Sequence, residues 1–219
     1  MRKSYIWSLP TRTFHGTFAI LMTICLLTDD DLLTIHIIAG YLLLVPFTFR
    51  IGWGIFGPKY SKFKDFPVSI KKTKEFMLNV FNTEQKYIGH NPSASIVMLS
   101  MLILVPFIIF SGMLTLGAEK SKGLFSNLGK NGLYEDIHEL TANIMYFLVF
   151  AHLVGIAVDR LIHKEHGTLE SIIKGYKNTK IKESIKINIF QKLFAFVFLV
   201  LFLIFSIYLI FNSNNPFVS

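Results

Sequence analysis

Residues 136–152 read DIHELTANIMYFLVFAH, a run that sets His138 and His152 near the two ends of an otherwise apolar segment. In an α-helix an interval of 14 residues falls about 40° short of four full turns and rises about 21 Å. Both imidazoles therefore face one way, one toward each end of a segment long enough to cross a bilayer. Ionisable side chains inside such a segment are costly and mark a site by default.

The rest of the chain suits that membrane setting. Of 219 residues, 52% are hydrophobic, 22 are Phe and only 16% are charged, with a mean hydropathy of +0.51. These values lie outside the range of soluble domains. A single cysteine, Cys25, excludes an intrachain disulfide, a Cys-rich zinc site and covalent haem attachment through C-x-x-C-H. Five stretches are predicted to span: 14–28, 32–49, 96–116, 137–158 and 190–211. The first follows Met1, Arg2 and Lys3, yet no small-x-small cleavage pattern comes before Asp29, Asp30 and Asp31, so it is read as retained.

The net charge of +8 is not a nucleic-acid signal, because the basic residues lie between spans on one side. Lys59, Lys62, Lys64, Lys71, Lys72, Lys74 and Lys86 crowd the loop 54–92, and Arg160 with seven lysines occupies 159–192. Lys and Arg are retained on the cytoplasmic side, so both loops and the amino terminus are expected inside and the carboxyl terminus outside. In the first of these loops Pro67 can open an amphipathic helix lying on the inner leaflet, with Phe76, Met77, Val80 and Phe81 on its apolar face. A solvated charged loop is the equal alternative. Beyond Lys192 at its start, the last span carries no charged residue, and it suits lipid, a redox partner protein or a second copy of the chain.

Four of the seven histidines fall within the spans, and depth pairs them. His15 and His152 lie toward the inner ends, His36 and His138 toward the outer ends. Two neutral imidazoles from facing helices are what bis-histidine ligation of haem iron requires, so two haems stacked across the bilayer are expected. Gly16, Ala39, Gly40, Ala142, Ala151 and Gly155 beside the ligands offer room for a porphyrin, or ordinary close helix contacts. Two other readings of the histidines stay open: interhelical hydrogen bonds, and a site that binds or conducts a metal ion.

The residues also resemble a known family, the diheme cytochrome b group that includes bacterial cytochrome b561 and the b-type subunit of nickel-iron hydrogenases. HELTAN at 138–143, with a second His 14 residues after His138, is similar to the family's H-E-x-x-A-N element. WSLPTRTFH at 7–15 resembles W-D-x-x-T-R-x-x-H-W, with Ser8 and Gly16 in place of Asp and Trp. HIIAGY at 36–41 resembles H-x-x-x-G-Y, and FRIGWGIFGP at 49–58 the cytoplasmic end of that helix. The similarity runs from Trp7 to His166. It implies an all-α, four-helix haem-binding bundle, to which this chain adds a fifth, carboxyl-terminal helix.

The resemblance further implies two haem b groups, His15 with His152 and His36 with His138, and electron transfer between a redox partner or small donor and the quinone pool of the inner membrane. Residues 1–166 are then the cytochrome domain, 167–189 a basic cytoplasmic linker, and 190–219 the last helix with a short outer tail. Arg12 and Arg50, with Trp53 beside them, are candidates for the inner haem propionates, since Arg forms two-pronged bonds to carboxylates. Arg50 and Trp53 are otherwise interfacial anchors. Lys120, Lys122 and Lys130 are available to the outer haem. GHNP at 89–92 resembles a family element before the third span; His90 and Asn91 are candidates to line a quinone pocket, against a plain helix cap by Asn91. His163 and His166 are expected in a solvated inner linker. The function classes are a membrane anchor of a larger redox complex, a standalone oxidoreductase for a donor such as superoxide, and a metal-ion transporter.

Overall fold

The computed structural model describes residues 2–28, 30–81, 87–180, 183–212 and 217, and omits the side chain of His166. Met1, Asp29, Lys86, Lys182, the His166 side chain and most of the outer tail, all part of the readings above, lie outside the described residues. The chain is mostly helical: α1 (Leu9–Leu27), α2 (Leu33–Leu42), α3 (Leu44–Phe56), α4 (Ile70–Leu78), α5 (Pro92–Lys120), α6 (Leu133–Ile162), α7 (Thr168–Lys174) and α8 (Ile189–Phe211). Two short strands, β1 (Arg2–Tyr5) and β2 (Tyr176–Thr179), pair antiparallel with Arg2 opposite Thr179 and Tyr5 opposite Tyr176.

Four helical stretches are long and apolar enough to cross a membrane: Asp30–Phe56, Pro92–Lys120, Leu133–Ile162 and Ile189–Phe211. The protein is thus a multi-pass membrane protein. Helix α1 is not among the four, because Thr11, Arg12, Thr13, His15 and Thr17 dilute its apolar half. The helices outrun the apolar runs that announce them, since backbone pairing continues into polar flanks. The second crossing breaks between α2 and α3 at Leu43, because Pro46 offers no N–H to the Leu42 carbonyl and its ring crowds it. Large apolar side chains such as Phe147, Phe150 and Phe196 face outward, as a lipid-facing helix surface requires.

The chain divides into two compact units. The first comprises Met1–His15, Arg50–Ser100 and Leu148–Phe194. Its core holds Ile6, Trp7, Trp53 and Phe66 together with buried serines. Those hydroxyls are paired, as burial demands. Ser4 Oγ lies 2.6 Å from Thr179 Oγ1, Trp7 Nε1 donates to Ser171 Oγ at 3.0 Å, and Trp53 Nε1 donates to Thr11 Oγ1 at 2.9 Å. Gly175, at φ +86, turns the chain from α7 into β2, and a Cβ there would lie 2.7 Å from the Tyr5 ring. Only glycine suits both demands. The segment 167–189 is therefore built into the fold through α7 and β2.

Helix α4 starts one turn later than Pro67 suggests. Ser69 caps it by accepting from Lys72 N, and Ile70, Met77 and Leu78 stay exposed beside Lys71, Lys72 and Lys74. The second unit comprises Gly16–Phe49, Met101–Phe147 and Ala195–Ser219, with Met22, Ile37, Tyr41, Val105, Ile109 and Met145 among its buried residues.

Candidate functional site

In the first unit the rings of His15, from α1, and His152, from α6, face one another with centroids 6.4 Å apart and planes at 51°. In the second unit His36, from α2, and His138, from α6, stand 6.0 Å apart at 81°. An imidazole nitrogen binds a first-row metal at about 2.0–2.1 Å, judged from zinc, so two imidazoles on opposite sides of one ion have centroids about 6.4 Å apart. Both pairs match that span.

The His36 and His138 rings are also set in the tautomer that ligation needs. His36 Nδ1 lies 2.9 Å from the Thr28 carbonyl, and His138 Nδ1 lies 3.1 Å from the Ile108 carbonyl and 3.2 Å from Ser111 Oγ. A carbonyl only accepts, so each Nδ1 carries the proton and each Nε2 lone pair is left for a metal. Such outer hydrogen bonds orient metal-binding histidines. Sequence reasoning missed Thr28 and Ile108, whose acceptors are backbone atoms and leave no trace in residue type.

Both rings line a cavity of about 380 Å³ in the second unit, together with Cys25, Ile37, Gly40, Tyr41, Ile109 and Ala142 among others. That is the size and largely apolar lining of a cofactor pocket. Of the small residues noted in the sequence, Gly40, Gly16 and Gly155 face open space, since a Cβ on any of them meets nothing within 4 Å. Ala39 is packed instead, at 3% exposure. Gly112 of α5 is the tight exception: a Cβ there would lie 2.8 Å from His138 Cε1. The Lys120 ammonium borders the cavity and pairs with Asp30 Oδ1 at 3.2 Å. Among the described residues no three His, Cys, Asp or Glu side chains converge.

The remaining candidates fall in the first unit. Arg12 donates through Nη1 to the Ile173 carbonyl, and its buried Nε has no hydrogen-bond partner among the described residues. Arg50 donates to the Ser61 carbonyl at 3.1 Å and lies 4.6 Å from the Phe63 ring centre. Trp53 is not an interfacial anchor: it is 1% exposed, bonded to Thr11 and stacked on Phe194. His90 is wedged between Trp7 and Phe66, with ring centres at 4.8 and 4.5 Å. Burial, helped by the positive charge of Arg50 and Lys177, pushes its imidazole down to about 3. Asn91 caps α5, its Oδ1 accepting from Ala94 N at 2.8 Å. His163, expected in solvent, is 5% exposed with Nδ1 3.3 Å from Asp159 Oδ1.

Residues 6–175 match the prokaryotic cytochrome b561 family. The chain belongs to that family. A cytochrome b561 is a membrane b-type cytochrome, binding b-type haem and carrying electrons, and the facing histidine pairs and the open glycines fit such a group. No curated protein and no solved structure matches the chain. The family match takes in α7 and ends at the turn residue Gly175, so both strands of the β1–β2 ribbon lie outside it.

Proposed function

We propose that this cytochrome b561 holds two haems, one between His15 and His152 and one between His36 and His138, and moves electrons across the bacterial inner membrane between a redox partner and the quinone pool. The observation that carries this reading is the pair of ring separations, 6.4 and 6.0 Å, each spanning one metal ion bound by two nitrogens. Bound haem supplies a one-electron iron couple. The four imidazoles would hold the iron, the Thr28 and Ile108 carbonyls fix two of those rings, and the apolar walls would exclude water. Arg12 and Arg50 are placed to offset propionate charge.

In this reading α1 crosses the membrane as well, giving five spans with the amino terminus inside and the carboxyl terminus outside, as the basic loops indicate. The lipid-facing residues of α8 suit a membrane partner. The quinone assignment rests on His90, because Asn91 has its oxygen engaged in the cap. His90 stays neutral at physiological pH, offering one N–H to a quinone oxygen and one lone pair to a quinol hydroxyl. His90→Ala is expected to slow quinone reduction with haem content unchanged; an unchanged rate removes His90 from the site.

The central test is haem stoichiometry. Pyridine haemochrome and reduced-minus-oxidised spectra of detergent-purified protein are expected to give two b-type haems, with His36→Ala and His15→Ala each losing a different one. Folded, colourless protein would overturn the reading and favour metal-ion binding.

A further inference from the structure

The first unit holds a cation that neither the ligand pairs nor the quinone reading uses. Lys177 sits on β2 opposite Ser4 of β1, on the inward face of the ribbon, and is 3% exposed. A lysine is almost never buried without a partner. Its ammonium has three donors, yet its recorded contact is one long hydrogen bond to the Tyr87 carbonyl, at 3.4 Å. Arg12, Arg50 and Lys177 form no ion pair among the described residues. Among the described residues Asp159 is the one buried carboxylate whose charge reaches Lys177, and its Oδ1 also lies 3.3 Å from His163 Nδ1. One carboxylate among three sheltered cations leaves a positive surplus that is costly unless a further anion reaches them.

The contacts gather these cations around one place. Arg12, three residues before His15, is tied to the Ile173 carbonyl, four residues before Lys177. Trp7 Nε1 bonds Ser171 in the same α7–β2 segment, and the Trp7 ring packs on His90. Phe66, on the other side of His90, lies 5.5 Å from the Arg50 guanidinium. His90 in turn lies within electrostatic reach of Lys177 and Arg50 and of the His15 and His152 rings. The missing partner is therefore a carboxylate beside the His15–His152 pair.

We propose that Lys177, presented by the β1–β2 ribbon, is a third cation holding a propionate of the haem between His15 and His152, so that the amino-terminal strand and the strand after α7 together cover that haem. The inference rests on the haem assignment to His15 and His152. Both strands of the ribbon lie outside residues 6–175, the part that matches the family.

The test compares wild type, Lys177→Met and Lys177→Arg, first confirming two haems in each. Met keeps the buried stem and removes the charge, and Arg restores the charge. A unit charge about 12 Å from iron at an effective dielectric of about 20 shifts the reduction equilibrium roughly tenfold. Redox titration of Lys177→Met is thus expected to show one haem lowered by about 59 mV, the other unchanged. That same haem should pass faster to apomyoglobin, and Lys177→Arg should restore both values. Repeating the transfer with haem dimethyl ester should abolish the difference between Lys177→Met and wild type. Unchanged potential and transfer rate in Lys177→Met, with both haems bound, overturn the inference while leaving the diheme reading intact. A difference that persists with the ester also overturns it, since Lys177 would then act on packing and not on a carboxylate. Wild type without haem on His15 and His152 would instead defeat the reading on which it rests. If Lys177→Met does not fold, the ester comparison of wild type with Lys177→Arg decides: propionates that matter to neither exclude a carboxylate contact.

Discussion

Replacing Gly112 by Ala tests the His36–His138 site through a single methyl group. The new Cβ would stand 2.8 Å from His138 Cε1 and 3.1 Å from Nδ1, where ordinary contact begins at 3.4 Å, so the ring must retreat by about 0.6 Å. It has little freedom to do so, because its Nδ1–H donates to the carbonyl of Ile108, one turn earlier on the same helix. Moving away from Gly112 therefore stretches the bond that fixes the tautomer and aims Nε2. Losing such an orienting bond weakens metal binding about 10- to 100-fold. The helix itself gains, since Ala is favoured over Gly in a helix interior by about 0.8–1 kcal/mol, so misfolding is not the expected cause. Pyridine haemochrome assays should show haem content falling from two toward one per chain, with the remaining spectrum that of His36→Ala. Two haems with unchanged potentials in Gly112→Ala would refute the reasoning.

Gly40→Ala, whose Cβ meets no protein atom within 4 Å, should leave the helical content and melting of haem-free protein unchanged or slightly raised yet reduce haem content; full haem occupancy would mean that this space is not cofactor space. Asn91→Ala removes the cap on α5 and should cost about 1 kcal/mol in thermal or denaturant unfolding with both haems retained, and an additional loss of quinone reduction would return Asn91 to the quinone site. His90 has its folded-state value lowered from 6.5 to about 3, so the unfolded chain binds its proton first. Its contribution is present in full above pH 6.5 and declines toward pH 3, with a slope of up to about 1.36 kcal/mol per pH unit. Melting curves of His90→Phe between pH 7 and 5 should accordingly be flatter than those of wild type, and an equal slope would exclude a buried, neutral His90.

The apolar runs, the basic loops and the four intramembrane histidines were legible because each depends on neighbours within a few turns. Hydropathy announces a membrane helix whatever it packs against, and a 14-residue interval aligns His138 with His152 by helix geometry alone. Depth pairs the histidines from sequence alone, and in the structure the rings of those pairs lie 6.4 and 6.0 Å apart. The break at Leu43 follows equally locally from Pro46.

Tertiary structure decided what depends on distant partners. Arg2–Tyr5 pairs with Tyr176–Thr179, strands some 170 residues apart, and nothing local to either announces the other. That pairing turns Lys177 inward from a stretch that reads as solvated charge. The acceptors for His36 and His138 are carbonyls, which every residue has, so composition could not single out Thr28 or Ile108. Trp53 reads as an interfacial anchor until Thr11 and Phe194 enclose it, and His163 reads as solvated until its ring packs beside Asp159. Local pattern by itself determined a multi-pass membrane chain with four histidines set at two depths, and the family match makes it a b-type cytochrome. Only packing decided which tautomers are set, which glycine is crowded and which cations are turned inward, because those are properties of surfaces that meet across the fold.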